Sequence, residues 1–518
     1  MQGLGNGSSF PDPDFLNLQN TPPTAIITIR AKVPHQAQGC ASAVFGPWPC
    51  RNESSASYAM KIALINPPLS YNQHEKSLNP EPWFPLGLGY IAAYLLQGGH
   101  DVKIYDPDAV KMPLETMWEE LARFDPDAVG ITSTTGSFML AKRLALEAKR
   151  RLNCLVLMGG PHVTALPRST LLGTPGLDAV IRGEGEIPML ALANEFDARG
   201  KADLNNVPGA AFLEGGQYRE TPQPDPFPDL NLLPYPARGL LDMQPYKRCR
   251  SLYGNGKMAT IISSRGCPSQ CNFCANASSI SRRFRSRSPK DFVAEMEWMV
   301  KEYGIRHFYI ADDCFSIDAN RTTAICDLMI ERKLRVTWQA AGRVNTLLDD
   351  SLIAKMKRAG CVDVLLGIET GSQRVLDIMK KGTTLAMAEE CCAKLHKHGI
   401  NCYNSYILGA EGDTVFTVIK TAIFSKRLFS LFALFNILIP FPGTAVFEKY
   451  YKDFDRPDTD WTDWASLFHR RPYPPRHTSL SWGAQKSLWL ALSVLYYLEP
   501  IQLLRLVLFQ IDLELDKY

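Results

Sequence analysis

The stretch Ile261–Asn276, IISSRGCPSQCNFCAN, decides what fold and chemistry the sequence predicts. It places Cys267, Cys271 and Cys274 in one short loop behind an apolar strand. Three thiolates at this C-x-x-x-C-x-x-C spacing can bind one iron–sulfur cubane. Because a [4Fe–4S] cubane has one more iron than this loop has thiolates, one iron stays open to a substrate or cofactor.

Two alternatives to the cluster are a zinc site and three unrelated buried thiols. Zinc knuckles usually combine one C-x-x-C with a second, distant pair of ligands, and the sequence contains no second C-x-x-C. The spacing therefore favours the iron–sulfur cluster, with the three cysteines as its metal ligands.

Length and composition indicate a globular protein with small-molecule partners. The 518 residues, 46% of them hydrophobic, are enough for two or three domains with separate cores. The 56 basic residues nearly balance the 53 acidic ones, so the sequence lacks the excess of positive charge that is typical of nucleic-acid-binding proteins. Thirteen cysteines without a recognisable signal peptide favour a reducing compartment, and we expect a cytoplasmic protein.

Residues 1–59 differ in composition from the rest of the chain. Pro, Gly, Ser, Asn and Gln are dispersed there among few periodic apolar positions, so the segment cannot bury enough surface to order itself. We expect a disordered extension, and the run KIALINPP directly after Met60 begins the first domain.

Residues 60–203 alternate short apolar runs with amphipathic helical patterns. The apolar runs are KIALIN, DVKIYD, AVGIT, CLVLMG and DAVIRG. This alternation predicts an α/β domain with a doubly wound, Rossmann-like parallel sheet. Such sheets bind ligands over the loops at the carboxyl ends of their strands.

The loops that follow these strands are rich in small and polar residues. The candidate ligand-binding residues in them are Pro67, Pro68, Ser133, Thr134, Thr135, Gly159, Gly160, His162, Gly183, Glu184 and Gly185. Glycine lets a large planar ligand approach the backbone, although ordinary turn chemistry explains the same residues equally well.

A linker and a second α/β domain follow. Residues 204–250 predict a hairpin that turns at Gly215-Gly216 and then a Pro-rich, semi-rigid connector. Residues 251–454 continue the alternation with six strands, which predicts a partial (β/α)6 barrel whose chemistry gathers at the carboxyl ends of the strands.

Two groups of charged residues in the barrel have open roles. Asp312 and Asp313 follow a strand, where they either orient a substrate or cap the next helix. The basic run Arg282–Arg287 is short and contains one aromatic residue, so a lining of the cofactor mouth is favoured over a surface that tracks phosphates.

Residues 455–518 predict a helical C-terminal segment. Its apolar helices, Ser487–Leu498 and Ile501–Ile511, are both shorter than the ~20 residues that span a bilayer. Packing against the barrel is the favoured interpretation. The alternative is an interfacial helix that contacts a membrane and serves a lipid substrate.

The cysteine loop resembles that of the radical S-adenosylmethionine superfamily. There the open iron chelates the amino and carboxylate groups of S-adenosylmethionine, whose cleavage yields a 5′-deoxyadenosyl radical. The aromatic Phe273 stands just before the last cysteine, where the resemblance implies packing near the adenine. The resemblance also implies that Glu369 contacts the ribose, and that Gly409 and Glu411 lie on the adenine side. Arg343 is a candidate partner for the carboxylate of S-adenosylmethionine, with a surface salt bridge as the alternative.

The order of motifs in residues 60–203 resembles the cobalamin-binding domain that precedes many radical S-adenosylmethionine domains. The series is NPP, PLGLGYIAAYL, GGPH and RGEGE. One departure concerns the D-x-H-x-x-G signature, which supplies an axial histidine in other cobalamin proteins, because the matching residues Asp106–Lys111 contain no histidine. Either cobalamin is held without that ligand, as the resemblance allows, or cobalamin binding has been lost. For His162 a place beside the corrin edge is favoured over a role as axial ligand.

Together these resemblances imply a cobalamin-dependent methyltransferase that acts on an unactivated carbon of a small-molecule or lipid substrate. The cofactors would be a [4Fe–4S] cluster, S-adenosylmethionine and cobalamin, with flavodoxin or ferredoxin as an external electron donor. A radical oxidative cyclase of the same branch is the second hypothesis, as in the anaerobic porphyrin-ester cyclases. A non-catalytic cobalamin or redox sensor is the third.

Overall fold

A computed structural model describes residues 59–68, 82–196, 201–225, 227, 229–247, 257–275, 282–462, 464–465, 473–500 and 502–503. The expected disorder of residues 1–58 and most of the helix expected at Ile501–Ile511 lie outside these ranges. Among the described helices, none combines the length and the apolar character needed to cross a bilayer.

The first sheet is a parallel sheet with a hairpin at one edge. Its strands are β1 Lys61–Ile65, β2 Asp101–Tyr105, β3 Ala128–Thr132, β4 Leu155–Gly159, β5 Ala179–Ile181, β6 Ala210–Glu214 and β7 Gln217–Glu220. Their order is β2-β1-β3-β4-β5-β6-β7, with β1 to β5 parallel and β6 and β7 antiparallel. The sheet runs through the hairpin to Glu220, beyond the boundary at residue 203 that the sequence suggested.

Helices cover both faces of the first sheet, which confirms the doubly wound architecture. Their ranges are Leu86–Gln97, Pro107–Val110, Leu114–Phe124, Phe138–Arg151, Pro161–Ala165, Pro167–Gly173 and Glu186–Glu195. Leu114–Phe124 shows why they pack: it buries Met117, Leu121 and Phe124, which recur at helical spacing on one face. Separate apolar cores lie on the two sides of the sheet.

The second sheet is the predicted partial barrel. Its strands are β8 Met258–Ile261, β11 His307–Ile310, β12 Thr337–Gly342, β13 Cys361–Glu369, β14 Asn401–Leu408 and β15 Phe432–Ile437, and a short pair is β9 Ser264–Arg265 with β10 Arg285–Ser286. The six-stranded sheet has the order β15-β14-β13-β12-β11-β8, and all its pairs are parallel. In the described residues β8 and β15 do not pair, so the barrel is open between them.

All the helices of the barrel named here except Gln373–Ile378 begin at side-chain caps. Their ranges are Pro289–Tyr303, Ala319–Glu331, Asp350–Arg358, Gln373–Ile378, Leu385–Lys397, Val415–Arg427 and Ala445–Tyr450. Asp318 caps Ala319–Glu331 by accepting a hydrogen bond from the backbone of Arg321. The helix-capping role that the sequence left open for Asp312 and Asp313 therefore belongs to Asp318.

The C-terminal helix Trp482–Tyr497 lies along β15, the open edge of the barrel. Trp489 Nε1 donates to the Phe435 carbonyl at 2.7 Å, and the Tyr497 hydroxyl bonds both the N–H and the C=O of Ala433 at 3.1 and 2.9 Å. An edge strand presents unpaired backbone groups, and these side chains satisfy three of them. The helix packs against the barrel, as favoured, and begins earlier than the predicted Ser487.

An aromatic segment joins the C-terminal region to the first domain. Trp461, Trp464 and Tyr473 pack with Phe447 and Tyr451 in the same core as the helices on one face of the first sheet. Trp464 is fully buried, and its Nε1 donates to the Pro440 carbonyl at 3.0 Å. The first sheet thus shares an apolar core with the helix Ala445–Tyr450 and the aromatic segment that follows the barrel strands.

Candidate cofactor-binding site

The cysteine loop begins at a buried carboxylate. Asp312 accepts four hydrogen bonds, from the backbone N–H groups of Ser263 and Ser264 at 2.7 and 3.1 Å and from both hydroxyls at 2.5 Å. The neighbouring Asp313 accepts from the N–H of Gly266 at 3.1 Å. Both carboxylates therefore fix the chain that leads into Cys267, a role that neither sequence alternative included.

The middle of the loop is fixed from the opposite side. The Asn272 N–H donates to the Met379 carbonyl at 3.1 Å, and its side chain donates to the Ile378 carbonyl at 2.9 Å. The Asn272 carbonyl accepts from the Val446 N–H at 3.2 Å. Asn272 lies between two of the predicted cluster ligands, so these bonds determine where those thiols stand.

In the described residues none of the three cysteines forms a disulfide; Cys271 is buried, and Cys267 and Cys274 are partly exposed. Among the residues that the structure describes, no three His, Cys, Asp or Glu side chains converge on one point as ligands of a single ion. A cubane does not require that convergence, because each thiolate binds a different iron. The loop therefore fits a cluster better than it fits a mononuclear zinc site.

Phe273 and the turn after β14 come together as the resemblance implies. Phe273 packs against a small apolar cluster that includes Met379, Ala410 and Val446. Gly409 has a φ of 75°, a conformation that favours glycine. The side chain of Glu411 points elsewhere, since it accepts from Lys449 Nζ at 2.7 Å and from the Tyr450 hydroxyl at 2.8 Å.

Glu369 ends β13 in a backbone conformation that is rare outside glycine. Its φ is 69°, and the register with β14 shifts between Gly367 and Glu369. Such bulges re-aim side chains next to functional sites, and a strained residue persists only where its surroundings hold it. The Glu369 side chain is buried, and its Oε1 accepts from Lys381 Nζ at 2.5 Å.

Arg343 lies against the cysteine loop. Its Nη1 is 3.6 Å from Cys271 Sγ, and its Nη2 donates to the backbone carbonyl of Lys381. Among the described residues the structure therefore does not show the alternative, a surface salt bridge. The guanidinium contacts a predicted cluster thiolate, and its pairing with the carboxylate of S-adenosylmethionine stays a prediction.

The predicted loops of the first sheet meet at one edge. The register aligns Ile65 with Ile131, Thr132 with Gly159 and Gly159 with Ile181, so the following loops emerge side by side. Pro67, Pro68, Ser133 and Thr135 are buried there, whereas Thr134 is exposed.

The glycines at this edge differ in how much space a side chain or a ligand would find beside them. A Cβ on Gly183 would meet open space, and one on Gly159 would have an ordinary contact of 3.7 Å with the Ile181 carbonyl. A Cβ on Gly160 would overlap the Ser133 backbone at 2.5 Å, and one on Gly185 would overlap Ile91. Gly160 is thus required for packing between loops, and Gly159 and Gly183 are open to a ligand.

His162 is enclosed by aromatic rings. It stacks on Phe138 at 4.1 Å between centroids, meets Trp461 edge-on, and its Nδ1 lies 3.2 Å from Thr135 Oγ1. Burial lowers the pKa of His162 to about 3, so the ring is neutral at physiological pH. Phe138, Trp461 and Thr135 thus surround the ring, and cobalamin held without an axial histidine stays a prediction.

Arginines of the barrel bind the RGEGE loop of the first domain. Arg285 pairs with Glu184 at 2.6 and 2.9 Å, and Arg265 pairs with Glu186 at 2.7 Å and with Glu184 at 3.6 Å. Arg287 pairs with Asp291 and Glu295. The basic run was predicted to line the cofactor mouth, but Arg285 and Arg287 are buried in ion pairs.

These arrangements fit the three predicted cofactors. The thiols of one loop, the aimed carboxylate of Glu369 and the Gly409 turn lie at the carboxyl ends of the barrel strands. The open glycines lie at the carboxyl edge of the other sheet, and Arg265 links the two edges. Sequence reasoning missed Lys381 and Asn272, for which the sequence carries no local signal, and the role of Glu186.

Comparisons with known proteins agree with this geometry. Residues 261–422 match the family model of the radical SAM superfamily, and residues 80–193 match that of the B12 binding domain. An uncharacterized methyltransferase of Pyrococcus horikoshii is 34% identical over 390 residues, which cover 75% of this chain and 83% of that protein.

Two other relatives carry more specific names. The anaerobic magnesium-protoporphyrin IX monomethyl ester cyclase of Rubrivivax gelatinosus is 30% identical, over an alignment that covers 75% of this chain and 70% of the cyclase. The hopanoid C-3 methylase of Methylococcus capsulatus is 29% identical, with 74% and 71% covered. The solved structure of the methyltransferase TsrM from Kitasatospora setae has the same fold, with a TM-score of 0.65, 19% identity, and 76% and 78% covered.

Proposed function

We propose a function for a chain that belongs to the cobalamin-binding radical S-adenosylmethionine enzymes: it transfers a methyl group to an unactivated carbon of a small-molecule or lipid substrate. The observation that carries the proposal is the ion pairing of Arg265 with Glu184 and Glu186, because it links the edge of the cysteine loop to the edge that would hold cobalamin. A methyl donor at one edge would then face the substrate carbon activated at the other.

Different residues of the chain would bind the cofactors and orient them. Cys267, Cys271 and Cys274 would hold the cluster, and Glu369 would hold the ribose of S-adenosylmethionine. The loops at Gly159 and Gly183 would contact the corrin through the backbone. When bound, the cofactors supply a radical that removes a substrate hydrogen and a methyl group that replaces it. The protein contributes binding, orientation and the exclusion of competing reactions.

The test is incubation of the reconstituted protein with hydroxocobalamin, a reductant and S-adenosylmethionine that carries a deuterated methyl group. Acceptors are offered in two sets, a polycyclic isoprenoid lipid set and a water-soluble set. We expect 5′-deoxyadenosine and S-adenosylhomocysteine in comparable amounts, and a deuterated methyl group in one acceptor. Cys271→Ala is the control and should form no 5′-deoxyadenosine.

A radical cyclase or oxidase is the second candidate, favoured by the identity to the porphyrin-ester cyclase. Such an enzyme would form 5′-deoxyadenosine without S-adenosylhomocysteine, and its product would carry no deuterium. That result would replace methyl transfer by oxidation at the same site. The sensor hypothesis is set aside, because the chain belongs to a family of enzymes.

An external donor would deliver the electron that the cluster needs, and we assign this role to a flavodoxin or ferredoxin. The measurement is the replacement of a chemical reductant by reduced flavodoxin, with 5′-deoxyadenosine as the readout. We also place the protein in the cytoplasm, which is supported by the ten cysteines of the described residues, none of which forms a disulfide there.

A peripheral membrane contact would serve a lipid substrate. The C-terminal helix packs beside Val415–Arg427, and together these helices expose an apolar face that comprises Val415, Phe416, Ile419, Ile423, Leu490, Val494, Leu495 and Leu498. Lys420 lies on the Phe416 ring at 4.7 Å, so a cation accompanies the apolar surface. Apolar area combined with cations is what binds a helix to an anionic bilayer surface.

Vesicle sedimentation tests the membrane contact. We expect the protein to sediment with phosphatidylglycerol vesicles, and the double variant Ile423→Glu and Leu495→Glu to stay in solution. Leu172→Glu, which changes an exposed leucine of the first domain, is the matched control. Equal sedimentation of all variants would rule out this face.

A further inference from the structure

Lys381 occupies a position between the cysteine loop and the strand end at Glu369. It lies three residues beyond the helix Gln373–Ile378. The end of this helix and the turn after it also accept the two hydrogen bonds that Asn272 donates. The Lys381 side chain is buried, although lysine is among the residues that are least often buried. A buried lysine is retained only with a partner of opposite charge, and here that partner is Glu369.

The room for this ion pair is made by a glycine. A Cβ on Gly367 would overlap Glu369 Oε1 and would lie 2.6 Å from Lys381 Nζ. The bulge after Gly367 and the positive φ of Glu369 then turn the carboxylate toward the lysine. The glycine, the bulge and the positive φ therefore all contribute to the contact between Glu369 and Lys381. This indicates that the orientation of the Glu369 carboxylate is important for the site.

The backbone of Lys381 makes a second contact. Its carbonyl accepts from Arg343 Nη2, while Arg343 Nη1 lies against Cys271 Sγ. The Lys381 ammonium is also 6.0 Å from the centre of the Phe273 ring. One residue thus connects the predicted ribose ligand, a predicted cluster thiolate and the predicted adenine neighbour.

We propose that Lys381 is a positioning residue that holds the Glu369 carboxylate aimed at the ribose of S-adenosylmethionine, in register with the cysteine loop. A buried carboxylate without a partner would turn away, whereas a ribose diol binds best to an acceptor that is held in a fixed orientation. The inference rests on the proposed function only in that this site binds S-adenosylmethionine.

The experiment measures S-adenosylmethionine binding to the reconstituted full chain by equilibrium dialysis. The variants are Lys381→Met, which removes the charge, Lys381→Arg, which keeps it, and the control Lys380→Met, which changes the exposed neighbour. We expect Lys381→Met to keep its iron and sulfide and to raise the Kd by about tenfold to a hundredfold, the range of a charge-assisted hydrogen bond. Lys381→Arg should restore most of the affinity, and Lys380→Met should bind as the wild type does.

A double-mutant cycle separates this role from a structural one. Because Lys381 acts through Glu369, adding Lys381→Met to Glu369→Gln should weaken binding by less than threefold further, whereas independent effects would multiply. Multiplying effects, an unchanged Kd in Lys381→Met, or a loss of iron in that variant would each overturn the proposal. A wild-type protein that binds no S-adenosylmethionine would instead contradict the proposed function.

Discussion

Arg265 Nη2 lies 2.7 Å from Glu186 Oε1, and this contact joins the strand just before the cysteine loop to the first turn of Glu186–Glu195 in the other domain. Both side chains are nearly buried, and Arg265 also stacks on Tyr90 at 5.0 Å from the ring centre. The loop that is predicted to bind the cluster is thereby fixed to a loop that is predicted to bind cobalamin.

Arg265→Met should destabilise the protein strongly. Removal of one partner leaves Glu186 buried without its counter-charge, and such changes cost about 3–5 kcal/mol. Arg332→Met is the control, because Arg332 and Glu297 form a half-exposed pair worth about 0–1 kcal/mol. The measurement is the urea midpoint followed by tryptophan fluorescence, and equal midpoints for the two variants would contradict the expectation.

Each of Cys267→Ala, Cys271→Ala and Cys274→Ala should abolish cluster binding. Cys391→Ala and Cys392→Ala are the controls, because both thiols are buried in the core face of Leu385–Lys397. Iron and sulfide analysis after reconstitution decides the matter. A fourth cysteine found to be equally necessary would remove the open iron and the radical mechanism with it.

Arg343→Met should shift the reduction potential of the cluster to a more negative value. A hydrogen-bond donor at a cluster sulfur stabilises the reduced, more negative state, and Arg343 Nη1 lies 3.6 Å from Cys271 Sγ. A redox titration without S-adenosylmethionine measures this effect separately from any role in cofactor binding. If only the affinity for S-adenosylmethionine changes, the sequence-based role of Arg343 holds and the contact with sulfur has no redox effect.

Asp312→Asn should lower the iron content of the reconstituted protein. The amide would present N–H groups to serine hydroxyls that now donate to the carboxylate, at a cost of about 1–3 kcal/mol. Asp318→Asn serves as the control, because asparagine caps a helix as well as aspartate does. Full cluster loading in Asp312→Asn would show that the loop does not need this carboxylate.

Cobalamin should bind without a nitrogen of His162 on the metal. The ring is enclosed by Phe138 and Trp461 and bonded to Thr135, so paramagnetic resonance of the cob(II)alamin form should show no splitting from a protein nitrogen. Splitting that disappears in His162→Ala would refute this expectation.

Gly159→Leu should expel the pigment during gel filtration. The position has room for a side chain and no positive φ, so the loop can fold before the leucine meets the corrin. Gly160→Leu is unsuitable, because its Cβ would collide with the Ser133 backbone whether or not a ligand is bound. Retention of cobalamin by Gly159→Leu would place the corrin elsewhere.

The sequence predicts the parts of this structure whose signals are local. The spacing of Cys267, Cys271 and Cys274 lies within one loop, and the strands and most helices follow from apolar runs a few residues long. Other residues act through contacts with partners elsewhere in the sequence, so the sequence around them does not indicate their roles. These residues are Lys381, Arg265 and Glu186. Arg285 in the basic run illustrates this limit of prediction from sequence. Its neighbours in the sequence suggest a surface residue, because its partner Glu184 lies about a hundred positions earlier.

The hydrogen bonds from Trp489 and Tyr497 to β15 have a consequence for synthesis on the ribosome. The strand is translated some sixty residues before the side chain that satisfies Ala433, and ribosomes add about 5–20 residues per second. For several seconds the nascent barrel therefore has an unprotected edge that could pair with another chain. The helix that completes the enclosure is made well after the strand that it protects, so termination near residue 480 would release a chain prone to association.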